Sequence, residues 1–164
     1  MDRETERGIE WDCQKTWRQY YLYVDHHEFE KAVSLFTEDI EWKEMGLDLK
    51  GRNQLLEALY GALGDDTIRH CLTNMVINVI DEDHAEAAAY NTLYYSREGR
   101  REDMEGPLKF EGPHRFGDNY AKMRRVGDTW QIYERKGGLS VLRRRNEPAT
   151  LEIWAEREGK LARP

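Results

Sequence analysis

His70 and Asp25 are the two residues of this chain whose types and positions could together carry out acid–base chemistry. Apolar residues recur every three or four positions over residues 9–25, and Asp25 continues that stripe at the end of the predicted helix. Residues 68–80 alternate as in a strand, which places His70 on the same face as Asn74. If that face meets the helices, the carboxylate orients the imidazole and the free ring nitrogen becomes a general base. The alternative is a structural histidine that is hydrogen-bonded to a backbone carbonyl.

Other chemistries have less support in the sequence. The five histidines form no HxH, HxxxH or HExxH pattern, so we predict no metal site and no other cofactor. Gly137 and Gly138 do not join a strand to a helix as a phosphate-binding loop does. Cys13 and Cys71 lie far apart and outside any CxxC pattern, which is typical of reduced thiols in a cytoplasmic protein.

Length and charge limit the class of protein. A chain of 164 residues with 5 Trp, 9 Tyr and 4 Phe is long and aromatic enough for one domain with a real core. The net charge of −7 argues against nucleic acids and anionic membranes as partners. No apolar run approaches the ~18 residues that cross a bilayer. The charged N-terminus leads into no apolar segment, so we expect a cytoplasmic protein rather than a secreted one.

The order of the predicted elements favours an α+β fold. Helices come first and an antiparallel sheet follows, so one sheet curling around three helices would leave a cone-shaped cavity. Residues 1–142 are predicted to form this single domain, and residues 143–164 a basic C-terminal tail with a short amphipathic helix. Residues 97–113 are predicted to form a loop, and the proline- and glycine-containing stretch 106–117 and the tail could close over the cavity. The predicted helices are 9–25, 27–36 and 53–63, and the predicted strands are 40–42, 68–80, 85–96, 114–126 and 129–135.

Four stretches of the sequence resemble one known family. They are LYVDHHEFEKAVSLFTEDIEW (22–42), GLDLKGRNQL (46–55), IRHCLTN (68–74) and DNYAKMRRVGDTWQIYERK (118–136). In this order and spacing they resemble the SnoaL-like branch of the nuclear transport factor 2-like superfamily, which includes dehydratases, a dehydrochlorinase and polyketide cyclases. The resemblance implies a cystatin-like α+β cone, with three N-terminal helices on a curved, mostly antiparallel sheet.

The resemblance also implies roles for particular residues. Enzymes of this branch pair an Asp at the end of the first helix with a His on the first long strand, and Asp25 and His70 hold those places. Tyr20 matches a tyrosine that lies five residues before that Asp, and it is predicted to donate a proton or hydrogen bond to the leaving oxygen. Arg124, or with less support Arg125, matches an arginine that would hold developing negative charge.

The predicted substrate site is aromatic. Tyr94 and Tyr95 stand where some members of the branch carry a second histidine. His26 and His27 are interpreted as a solvated helix start, and Glu44 as a surface or ion-paired residue. The residues predicted to contact the substrate are Tyr21, Trp42, Tyr60, Asn74, Tyr95, Phe116 and Tyr120.

These observations favour a cofactor-independent lyase that acts on a small apolar, aromatic substrate. Dehydration, dehydrohalogenation and retro-aldol loss of a small carbonyl all fit the same base. A non-catalytic ligand-binding or assembly module, and an enolate-type isomerase or cyclase, are the alternatives. We also expect a homodimer or homotrimer formed through the outer face of the sheet. That face is predicted to carry Cys71, Thr73, Met75, Ile77 and Val79.

Overall fold

Three helices pack on one six-stranded sheet in the computed structural model, which describes residues 1–44, 47–64, 66–96 and 113–143. The sheet order is β2-β1-β6-β5-β4-β3. Strands β1 and β6 are parallel and all other neighbours are antiparallel, which confirms the predicted α+β class. The helices are α1 (Arg3–Asp25), α2 (Phe29–Ser34) and α3 (Gly51–Leu63). The strands are β1 (Phe36–Glu44), β2 (Leu47–Lys50), β3 (Thr67–Val79), β4 (His84–Ser96), β5 (Arg115–Val126) and β6 (Thr129–Arg143).

The first helix begins at Arg3, earlier than the apolar stripe indicates. The Asp2 carboxylate accepts hydrogen bonds from the backbone N–H groups of Glu4 and Thr5, both at 2.9 Å. This cap satisfies two of the N–H groups that have no partner within the helix. The stripe that begins at Ile9 is buried as predicted, and it ends with the buried carboxylate of Asp25.

Other boundaries also differ from the prediction. Phe36 starts a strand instead of ending a helix, because the chain turns from α2 directly into β1. The short strand β2 was not predicted, and β6 continues well past Arg135. The predicted loop 97–113 lies outside the described residues except for Pro113, and the predicted tail lies outside them after Arg143. Residues 115–117, at the end of the predicted 106–117 stretch, belong to β5.

Large side chains of α1 and small side chains of the sheet form the core together. Trp17, Tyr20 and Tyr21 of α1 belong to the same buried cluster as the alanines of β4 and β5. The aromatic rings of α1 fill much of the concave side of the sheet, and several strand positions that pack in this cluster hold alanine. These buried small residues are Ala85, Ala87, Ala89 and Ala121.

A bulge in β3 changes which of its side chains face the helices. Thr73 lies opposite Tyr90 of β4, but the next paired residue is Val76, opposite Ala88. Asn74 lies in this interval with a φ of 50°, a left-handed conformation that asparagine tolerates better than most residues. The extra residue reverses the alternation for the rest of the strand.

The bulge corrects the predicted outer face of the sheet. His70 comes before the bulge and faces inward as predicted, while Cys71 is exposed. Val76 lies beyond the bulge and is 62% exposed. Part of the predicted outer row is therefore wrong, because three of its members pack on the core instead: Met75, Ile77 and Val79.

The helices give no sign of a membrane-spanning segment. In the part of the chain that the structure describes, none of them is both long and apolar enough to cross a bilayer.

Candidate active site

A cavity opens between the helices and the concave side of the sheet. Its apolar wall comes from Val24, Leu59, Leu63, Ile68 and Leu93. Three of the residues predicted to contact the substrate also line it: Tyr21, Trp42 and Tyr95. Most of the wall is apolar or aromatic, with a few polar groups that converge on the same space, as is usual for sites that bind small molecules.

Asp25 and His70 are in direct contact at this cavity. The Asp25 Oδ1 lies 2.6 Å from the His70 Nδ1, and the Asp25 Oδ2 accepts the His70 backbone N–H at 2.9 Å. Arg69 donates to the Asp25 backbone carbonyl at 3.1 Å. These bonds fix the carboxylate at the end of α1 against β3. When the carboxylate accepts the Nδ1 proton, the Nε2 of His70 carries the lone pair of a base.

Tyr20 and Tyr21 present their hydroxyl groups to one buried guanidinium. Arg135 donates to the Tyr20 hydroxyl at 3.1 Å and to the Tyr21 hydroxyl at 2.5 Å. It also donates to the Asn119 Oδ1 at 2.8 Å, which accepts a further bond from the Tyr21 hydroxyl at 3.0 Å. In these contacts Tyr21 already uses its proton, whereas Tyr20 acts only as an acceptor. Tyr20 is therefore the phenol with a proton left to donate.

Arg135 reaches the cavity because of a second bulge. In the pairing of β5 with β6, Met123 lies opposite Ile132 while its neighbour Lys122 lies opposite Glu134. One extra residue of β6 lies between, so the inward face shifts and Arg135 becomes buried, at 4% exposed. Simple alternation from Ile132 would have placed Glu134 inside instead.

A buried carboxylate lies beside this arginine. Glu44 accepts a hydrogen bond from the Trp42 indole at 3.0 Å and pairs with Arg115. Its Oε2 is 3.8 Å from the nearest nitrogen of Arg135, whose guanidinium carbon lies 4.0 Å from the centre of a Trp42 ring. Glu44 was predicted to be a surface or ion-paired residue; it is ion-paired, but it is buried in the cavity wall and does not lie on the surface.

Burial and charge act in opposite directions on these groups. Burial raises the pKa of both Tyr20 and Tyr21, and the positive charge of Arg135 offsets this only in part. Burial also tends to raise the pKa of Glu44, but Arg135 and Arg115 outweigh it, so the pKa lies below the ordinary value. At neutral pH the site therefore holds neutral phenols and an ionised Glu44.

Tyr95 and His114 form a further polar part of the cavity wall. The Tyr95 hydroxyl donates to the Asp66 carboxylate, and the Tyr95 ring lies 5.3 Å from the His114 ring. The Nε2 of His27 is 2.9 Å from the Asp66 backbone oxygen, so the interpretation of His27 as simply solvated is wrong. His26 is exposed at the end of α1, as predicted. His114 was not predicted as a wall residue, because it follows a stretch without a clear pattern.

The predicted arginine is not in the cavity. Arg124 lies on the outer side of the sheet, where it donates to Asp39 at 2.6 Å and packs over the Tyr133 ring. Arg125 is also exposed, over Trp130. The prediction of Arg124 as the group that holds negative charge is therefore wrong. Among the described residues, Arg135 and Arg115 are the arginines that line the cavity.

Four predicted substrate contacts also lie elsewhere. Phe116 and Tyr120 share the outer face of β5 with Arg124, because the buried face of this strand carries Gly117, Asn119, Ala121 and Met123. Tyr60 is 51% exposed and donates to Glu30 on the outside of the helices. Asn74 is exposed at the β3 bulge.

Comparisons with known proteins place this arrangement in a family. The sequence matches the family described as a SnoaL-like domain over residues 9–136. No curated protein is significantly similar to it in sequence. The match covers every element of the fold from most of α1 to the middle of β6.

Solved structures share the fold at low sequence identity. A proposed scytalone dehydratase from Novosphingobium aromaticivorans is 17% identical, with a TM-score of 0.69 over 85% of this chain and 91% of that chain. A protein of unknown function from Mycobacterium tuberculosis is 19% identical, with a TM-score of 0.74 over 96% and 90%. The β subunit of a proposed aromatic-ring-hydroxylating dioxygenase from N. aromaticivorans is 18% identical, with a TM-score of 0.64 over 84% and 93%.

Proposed function

The chain belongs to the SnoaL-like domain family, and from this premise we propose that it is a cofactor-independent lyase with His70 as its general base. The observation that carries the proposal is the pair of hydrogen bonds that the Asp25 carboxylate accepts from His70 at the wall of an apolar cavity. A carboxylate on one ring nitrogen stabilises the imidazolium that forms when the other nitrogen takes a proton.

The reaction is an elimination. His70 removes an acidified proton from the substrate, and the electrons of that C–H bond form a double bond as the leaving group departs. In the retro-aldol version, His70 takes a hydroxyl proton and a carbon–carbon bond breaks instead. Tyr20 donates a proton or hydrogen bond to the leaving or carbonyl oxygen, and Arg135 stabilises the charge through the Tyr20 hydroxyl.

The cavity wall supports a small substrate with an aromatic ring. The Tyr21 ring centre lies 4.6 Å from the centre of the His70 ring and 5.2 Å from the Arg135 guanidinium carbon. A flat molecule that lies along the Tyr21 ring can therefore contact His70 and the part of the cavity next to Arg135 at the same time. This placement would hold the reacting atoms close to both groups.

A substrate panel tests the proposal. Aromatic β-hydroxy carbonyl compounds and halogenated analogues are incubated with the protein, and loss of water, halide or formaldehyde is measured. We expect turnover of at least one class. Double-bond migration without loss of a group would instead support an enolate-type isomerase or cyclase, which uses the same base and donors.

Replacement of Asp25 by Asn is expected to lower kcat by about 100-fold. The amide can still contact the ring but cannot stabilise the imidazolium, and it can favour the wrong tautomer. Steady-state rates on the best substrate of the panel give the effect. Asp81→Asn is a matched control, because Asp81 contacts the exposed His84 at 3.0 Å. Equal losses in the two variants would contradict the assignment.

Activity is expected to survive removal of metal ions. The dyad supplies its own base, and no group of three or more metal-ligating side chains occurs within the described ranges of the chain. The rate after dialysis against EDTA, compared with the untreated protein, checks this. A loss that one divalent metal restores would overturn the cofactor-independent mechanism.

The outer face of the sheet supports association of two or three copies. Val76, Tyr90 and Tyr120 are all large apolar or aromatic residues that are exposed there. Val76 and Tyr120 flank Ala88 in one row across the sheet, and large apolar side chains grouped in this way are typical of surfaces that contact another protein. Light scattering during size exclusion is expected to give two or three times the chain mass. A mass near 19.5 kDa at micromolar concentration would contradict this.

A non-catalytic module is the second candidate. It is favoured by the likeness to a dioxygenase β subunit and by the exposed outer face. Binding of aromatic compounds without any turnover, and with unchanged affinity in His70→Ala, would support it over the lyase.

A further inference from the structure

The Glu44 side chain fits into the cavity wall because Gly137, which lies beside it, has no side chain. Glu44 is the last residue of β1 and lies beside Gly137 of β6, because the residue before it, Lys43, is paired with Lys136. A Cβ atom at Gly137 would lie 2.4 Å from the Glu44 Cγ and 2.7 Å from its Cδ. Contacts below 3.0 Å essentially never occur, so any other residue at 137 displaces the Glu44 side chain.

The Glu44 side chain cannot move aside without losing several partners. Both carboxylate oxygens are engaged, one with Arg115 and the other with the Trp42 indole. The second oxygen also lies 3.8 Å from Arg135. A buried carboxylate that is held between two guanidinium groups occupies the positions where a bound carboxylate would otherwise pair with them.

We propose that Glu44, seated against Gly137, sets the charge of the cavity, so that the site accepts neutral oxygen-bearing aromatic compounds and rejects aromatic carboxylates. The catalytic meaning of this selectivity rests on the proposed lyase function. A substrate carboxylate would have to compete with Glu44 for Arg135 and would also approach the negative charge of Asp25.

The same arrangement stabilises negative charge that develops in the transition state more than charge that the free substrate already carries. A neutral carbonyl or hydroxyl group pairs with the Tyr20 hydroxyl, which accepts a bond from Arg135 at 3.1 Å. As proton removal places negative charge on that oxygen, the interaction with the tyrosine and the arginine strengthens. A group that is already negative in the free substrate would gain no such difference.

The other carboxylates near the cavity are already engaged away from the two arginines. Asp25 is bonded to His70, and Tyr95 is bonded to Asp66. Glu44 is therefore the carboxylate closest to the guanidinium end among the described residues. The remaining titratable groups of the wall are Tyr20 and Tyr21 of α1, His114 and Arg115 at the start of β5, and Arg135 of β6.

Binding of two isosteric probes tests the proposal without any need for turnover. Benzamide and benzoate are titrated into the wild type and Glu44→Gln at neutral pH, and the dissociation constants are measured by calorimetry. We expect the wild type to bind benzamide more tightly than benzoate. In Glu44→Gln we expect benzoate affinity to rise by about tenfold or more, because a like charge is removed, with little change for benzamide.

The two adjacent glycines give a matched pair of variants. Gly137→Ala displaces Glu44 and is expected to shift the preference toward benzoate, as Glu44→Gln does. Gly138→Ala introduces a Cβ 2.7 Å from the Cβ of Asp118. It strains Asp118 on the adjacent strand β5, and Glu44 is not among the atoms nearest to the new Cβ, so the wild-type preference should persist.

Three results would overturn the proposal. One is equal benzoate affinity in the wild type and Glu44→Gln, and another is a parallel change of both probes in every variant. The third is no binding of either probe at millimolar concentration, which would mean that the cavity does not admit an aromatic ring. None of these decides whether His70 is a base, which rests on turnover by the wild type and His70→Ala.

Discussion

Replacement of His70 by Ala is expected to lower kcat by about 100- to 10,000-fold while the fold stays intact. This is the range that a positioned general base contributes. The imidazole lies at the wall of the cavity with its Nδ1 on Asp25, so its removal takes away the proton acceptor and leaves the carboxylate without its ring partner. The rate is measured on the best substrate of the panel, and circular dichroism checks the fold.

His84 provides the matched control for this variant. Its Nδ1 also contacts an aspartate, Asp81, at 3.0 Å, but the pair lies on the surface at the turn into β4. We expect His84→Ala to retain the wild-type rate. A His70→Ala rate within a fewfold of the wild type would show that the Asp25–His70 contact is structural, and it would favour the binding-module reading.

Replacement of Arg135 by Met is expected to lower the free energy of unfolding by about 3–5 kcal/mol, the usual cost of breaking a buried ion pair from one side. The guanidinium is 4% exposed and donates to Tyr20, Tyr21 and Asn119, so its loss leaves buried acceptors without their donor. Glu44 keeps only one arginine. Urea denaturation at pH 7 measures the effect.

Arg124→Met is the comparison that separates the two arginines. Arg124 is half-exposed and pairs with the exposed Asp39, and surface pairs of this kind contribute about 0–1 kcal/mol. The two variants remove the same charge from neighbouring strands of one sheet. If they destabilise the protein equally, the buried network around Arg135 does not hold the fold as described.

Local periodicity predicted most of the elements, and together with the family resemblance it predicted the acid–base pair. The stripe of α1 follows from spacings of three and four residues, and its last member, Asp25, lies at the helix end whatever the helix packs against. His70 lies before the β3 bulge, where alternation along the strand still holds. Their contact needed only one assumption, that the stripe of the helix meets the even-numbered face of the strand.

The sequence does not show which face of a strand lies on the concave side of the sheet. Alternation correctly grouped Phe116, Tyr120 and Arg124 on one face of β5, but it does not say which face is concave. Hydrophobicity favours the aromatic face for the interior. The structure places it outside, because the rings of α1 pack against the other face of β5, which carries Ala121 and Met123.

The sequence by itself determined the α+β order of the chain, the family resemblance and the pairing of Asp25 with His70. Only the tertiary structure decided which arginine serves the cavity. One extra residue in β6 moves Arg135 from the face that alternation gives it to the opposite one, and Gly137 leaves the space in which Glu44 pairs with it. A bulge depends on how two paired strands align with each other, so no local sequence pattern in either strand predicts it.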